Sequence, residues 1–75
     1  MMVYVLLRED QNGYGYIDVS VEGLFRQKDD AQLRLDQERE IAGRQGLLVC
    51  GEAGVDDGEW DVSWSIEEHA VAATV

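Results

Sequence analysis

Asp29-Asp30-Ala31-Gln32-Leu33-Arg34-Leu35-Asp36-Gln37-Glu38-Arg39-Glu40-Ile41-Ala42 is the stretch whose reading decides the fold. It holds no Gly, no Pro and a single β-branched residue, Ile41, and most of it is strong helix former. The pattern predicts a helix over about 28–43. Asp29 and Asp30 fall in its first turn, where the amide dipoles favour negative charge, and Arg39 and Arg44 lie toward its end, where they favour positive charge. Gln27 stands at the cap position, where Ser or Thr is more usual, and Gly43 or Gly46 supplies a left-handed residue to end the helix. At about 100° per residue, Ala31, Leu35, Glu38 and Ala42 share one face, with Ile41 on its flank. Leu33, Gln37 and Ile41 form a secondary stripe, which is either the margin of the core or a dimer or docking contact.

The chain on either side of this helix reads as strands. Met2 to Arg8 is almost continuously apolar, which predicts a strand over about 2–8 buried on both faces. Such a strand is central, or is covered by helix on one side and by a partner or loop on the other. Asn12-Gly13 is a favoured hairpin dipeptide, and a second strand is expected over about 15–22. In it Ile17, Val19 and Val21 alternate with Tyr16, Asp18, Ser20 and Glu22, and the apolar set is expected to face the helix. Leu47 to Ala53 reads as a third strand, about 47–53, and Asp57-Gly58 as its turn. The fourth strand, about 59–67, puts Trp60, Val62, Trp64 and Ile66 on one face and Asp61, Ser63, Ser65 and Glu67 on the other. The expected fold is α+β, ββαββ, with one helix packed on one face of a four-stranded antiparallel sheet in a single domain, 1–75.

A chain of 75 residues and 8.4 kDa has room for one small core shared by every element. No apolar run approaches the ~18 residues of a membrane span, and Arg8, Glu9 and Asp10 interrupt the first apolar run soon after it starts, so a cytoplasmic protein is expected. The lone cysteine, Cys50, forms no internal disulfide and no zinc site by itself.

Charge is the loudest compositional feature, at −10. Between Arg26 and Arg44, five basic residues meet five acidic ones; the rest of the chain sets Arg8 alone against eleven acids. The helix balances itself and the strands do not. Direct binding to nucleic acid is disfavoured, because the basic residues are interleaved with equal numbers of acids.

The motifs that carry chemistry are few. Asp10 to Asp18 partly resembles a calcium loop, but Tyr14 occupies a donor place and Val21 stands where the bidentate glutamate belongs. Gly13-Tyr14-Gly15 lacks the third glycine and the following helix of a dinucleotide site. Asp56, Asp57, Glu59 and Asp61 crowd a turn without a converging histidine, and Cys50 and His69 are a nucleophile and a base with nothing to bring them together. No metal, no cofactor and no catalysis are expected. What remains is the face expected opposite the helix, carrying Tyr16, Asp18, Glu22, Asp61 and Glu67. Carboxylates at strand spacing present negative charge to a basic groove, with Tyr16 as an aromatic anchor. The same residues also serve a face that only solvates the protein.

Tyr4-Val5-Leu6 opening the first strand, and Phe25 followed by Asp29-Asp30-Ala31 leading into the helix, resemble small acidic single-domain proteins of phages and prophages. Among these are the anti-CRISPR inhibitors, many of which pack one helix on a short antiparallel sheet. The resemblance covers architecture over most of the chain and carries over no functional residue. It implies a stoichiometric inhibitor in the host cytoplasm that occupies a basic nucleic-acid-binding surface of a host defence complex, such as a CRISPR effector, as a nucleic-acid mimic. The other expectation is a small assembly module that forms a homodimer or docks on a partner through a sheet edge or the Leu33, Gln37 and Ile41 stripe.

Overall fold

The computed structural model describes residues 1–12, 15–52, 54–55 and 58–71. Its elements run β1 (Met2–Gln11), β2 (Ile17–Phe25), α1 (Lys28–Arg44) and β3 (Val62–Ala70). The strands form one antiparallel sheet in the order β2-β1-β3, with the apolar run of β1 at its centre, and α1 lies across one face in contact with all three.

The sheet is therefore three-stranded, not four-stranded. Among the described residues of the expected third strand, 47–53, Val49 alone makes a bridge, to Val62, and in the parallel sense. A parallel neighbour cannot be the second arm of a tight hairpin. The chain bends away at Gly51, whose φ of 89° is left-handed, and the Glu52 N–H returns to the Val49 carbonyl at 3.3 Å. β3 takes the place beside β1 instead, paired from Met2↔Ala70 to Asp10↔Val62, and starts and ends later than the expected 59–67. Gly13, Tyr14, Ala53, Asp56 and Asp57, on which the two turn readings partly rest, lie outside the described residues. The first connection is nonetheless tied at its base, because the Asn12 N–H donates to the Tyr16 carbonyl at 3.0 Å and the Tyr16 N–H to Asn12 Oδ1 at 3.1 Å.

α1 agrees closely with its reading. Ala31, Leu35 and Ala42 are buried, while Glu38 on the same side keeps its carboxylate paired with Arg34 at 3.0 Å. Its end is a Schellman motif: the Leu47 N–H reaches the Ala42 carbonyl, the Gly46 N–H reaches the Gly43 carbonyl, both at 3.1 Å, and Gly46 takes a φ of 82°. Leu47 then packs on the cluster of Ala42, Val49 and Val62, with Trp64 beside it. The start is less well made. Gln27 is extended and gives the helix no side-chain cap. Gln27→Ser is expected to raise stability by about 1 kcal/mol, read as a higher urea midpoint at unchanged slope.

One residue decides which side of β2 faces the helix. β1 and β2 pair as Tyr4↔Phe25, Val5↔Leu24 and Leu6↔Gly23, then as Leu7↔Val21 and Arg8↔Ser20, so Glu22 is an extra residue in a β-bulge. Gly23 and Phe25 lie on the helix side with Leu6, and an added Cβ at Gly23 would sit 2.8 Å from the Phe25 ring, which occupies that space. Past the bulge the alternation is inverted. Asp18 and Ser20 share the helix side with Asp10 and Arg8, whereas Ile17, Val19 and Val21 turn to the opposite side with Gln11, Glu9 and Leu7.

Candidate functional site

The register dismantles the continuous acidic face expected opposite the helix. Asp18 faces the helix side, directly across from Asp10, and Glu22 follows on that side by accepting a hydrogen bond from Ser20 Oγ at 3.0 Å. Two carboxylates facing each other across a strand pair repel. Arg8 offsets this locally: its Nε lies 3.1 Å from both Asp10 oxygens, and its guanidinium sits 5.5 Å from the Trp64 ring centre. Glu67 lies on the other side of the sheet, across from Val5, and contacts His69 Nε2 at 3.0 Å. Asp61 precedes β3 and is occupied structurally, since its Oδ2 accepts the Leu48 N–H at 2.9 Å. Tyr16 is exposed at the end of the hairpin. The five candidate contact residues thus do not share one face.

What the structure brings together instead is an apolar surface. On the side of the sheet away from α1, three residues stand abreast in successive rows: Leu24, Val5 and Glu67; Val21, Leu7 and Ser65; Val19, Glu9 and Ser63. Val19, Val21 and Leu24 are 58%, 63% and 69% exposed. No element of the described chain lies over them. Sequence reasoning placed this apolar set in the core, yet the sign of its inversion is present. The apolar phase runs through Ile17, Val19 and Val21 and resumes at Leu24, a break of one residue across Glu22-Gly23.

No family model, curated protein or solved structure matches this chain. Its chemistry must be read from its own residues. Among the described residues no group of three or more His, Cys, Asp or Glu is arranged to hold a metal ion, and no helix is long and apolar enough to cross a membrane. Cys50 lies beside Val62 at the start of β3 and His69 near its far end, about 23 Å away at strand rise, so the two do not act as nucleophile and base on one another. A shallow, open concavity of about 320 Å³ lies at the hairpin end, lined by Gln11, Asn12, Gly15, Gly58, Glu59, Trp60 and Asp61. Trp60 belongs to this rim, while Trp64 is the tryptophan that joins the core.

The alternative stripe is on the surface. Leu33 and Ile41 are 59% and 47% exposed, and Gln37 between them is exposed as well.

Proposed function

We propose that this protein is an acidic, non-enzymatic binding protein that engages a basic surface on a protein partner, in the manner of phage-type inhibitors that occupy a nucleic-acid-binding site. The observation that carries this reading is the segregation of charge. α1 neutralises itself through Arg34 with Glu38 and Arg44 with Glu40, and Lys28 reaches across to Glu68 at 3.4 Å. Arg8 is the one Lys or Arg within the strands, and it is held by Asp10 and Trp64. The net charge of −10 therefore belongs to the sheet and its connections. A field of this kind speeds encounter with basic surfaces and is screened beyond roughly 10 Å at 0.1 M salt.

The test is capture of partners from host lysate on tagged protein, washed at low and high salt. A nucleic-acid-binding complex that is lost at high salt and displaced by added DNA or RNA is the expected result. Retention that ignores both salt and nucleic acid would overturn the reading. Asp18→Lys with Glu22→Lys is expected to slow association more than it speeds dissociation, because exposed charges act mainly on encounter.

A second reading, an assembly module, is favoured by the exposure of Leu33 and Ile41 and by the position of β2 at a sheet edge. Leu33→Arg would then abolish self-association in sedimentation and leave lysate capture unchanged.

A further inference from the structure

The bare side of the sheet is the feature that the acidic reading leaves unexplained. Small domains are stable when each apolar layer is covered by another, and here one of the two sheet faces has no cover among the described residues. Val3, Val5 and Leu7 of the central strand and Val19, Val21 and Leu24 of the edge strand form one contiguous block on it. A patch of this kind on a soluble chain marks an interaction surface.

Charge identifies what covers it. Glu9 interrupts the block at the hairpin end, Glu67 borders it beside Val5, and Ser63 and Ser65 complete the β3 margin. No strand position on this side carries Lys or Arg, because Arg8 faces the helix side opposite Trp64. His69, abreast of Val3, is on this side and contacts Glu67 at 3.0 Å, leaving Glu9 without such a neighbour among the strand positions here. A second copy laid on this face would bring two chains of −10 together and set acidic margins near one another. An acidic partner meets the same repulsion. A surface with an apolar centre and Lys or Arg at its margin satisfies both halves of the pattern.

We infer that the bare sheet face, centred on Val5, Leu7, Val19, Val21 and Leu24, is the docking surface for a basic amphipathic element of a protein partner, with Glu9 and Glu67 meeting its basic margin. This rests on the acidic-binder reading above and assigns it a surface. Apolar area supplies the affinity and the carboxylates supply orientation, so the chain acts as a missing third layer for its partner and the partner for it.

The experiment uses the full chain, labelled with ¹⁵N, and two synthetic helical probes with Leu on one face. One carries Lys on the other face and its counterpart carries Glu there. The Lys probe is expected to shift the amides of β1 and β2 around Leu7, Val19 and Val21, and the Glu probe to shift none. Val19→Ser with Val21→Ser, both exposed positions whose change leaves the core intact, is expected to weaken the Lys probe about tenfold. An unchanged circular dichroism spectrum checks that the double variant is folded. Shifts confined to Asp10, Asp18 and Glu22 would overturn this inference while sparing the acidic-binder reading. Equal binding of both probes would overturn both. No binding of the Lys probe, or a salt-independent dimer in sedimentation with this face protected, would overturn the inference in favour of a different or identical partner.

Discussion

Leu6→Ala is expected to remove about 3 kcal/mol of stability, measured as the loss of unfolding free energy in urea. Leu6 is fully buried, sits in the central strand between Gly23 and Ile66, and faces the helix. Its neighbour across β2 is Gly23, over which the Phe25 ring already lies, so truncation removes contacts and leaves a cavity among groups that are already packed. At about 0.05–0.15 kcal/mol per residue a chain of this length is stable by roughly 4–11 kcal/mol, and the variant stands close to unfolding. A loss below about 1 kcal/mol would mean that α1 does not cover this position. The large fully buried side chains are Leu6, Val49 and Val62, which is why a single truncation weighs so heavily.

The second large effect concerns Trp64. Its ring packs on the cluster of Ala42, Val49 and Val62 and lies under the Arg8 guanidinium, yet its Nε1 is enclosed with no acceptor among the described residues. An enclosed donor without a partner costs about 1–3 kcal/mol. Trp64→Ala is expected to lose about 3 kcal/mol, the lower end for a buried aromatic because the residue is only half-buried. Trp64→Phe keeps a ring beneath Arg8 and deletes the stranded N–H, so it is expected to stay within about 1 kcal/mol of the parent. The two variants compared by thermal unfolding separate packing from polarity. If Phe proves as damaging as Ala, the indole N–H has an acceptor after all.

Much of the architecture was legible in the sequence because its signals are local. The helix declares itself through composition, through Asp29 and Asp30 in its first turn and through Gly46 at its end, and it spans Lys28–Arg44 against an expected 28–43. β3 announces its inner face through Val62, Trp64 and Ile66, and the unbroken run of β1 places it in the centre. The expected third strand failed for a non-local reason. Leu47 and Val49 are apolar because they seal the helix end against Val62, a role that leaves the same trace in composition as a short strand.

The candidate site was legible only in part. That the chain carries its acidity outside the helix follows from counting residues. Which side of β2 shares the helix face does not, because alternation has the same form on either face and only pairing with β1 fixes it. Asp18 and Glu67, grouped by alternation alone, therefore fall on opposite sides of the sheet, and the valines between them are the residues that face outward.

The bulge also bears on how this chain can vary in length. Pairing is regular on both flanks of Glu22, so a deletion there is expected to leave Leu6 opposite Gly23 and Leu7 opposite Val21. Ile17, Val19, Val21 and Leu24 would then alternate without a break and keep their common side. Elsewhere in a strand, losing one codon turns every residue beyond it inside out. At Glu22 the same loss is expected to be silent for the surface on display, which gives the lineage one place in β2 where an indel need not be paired with a compensating change.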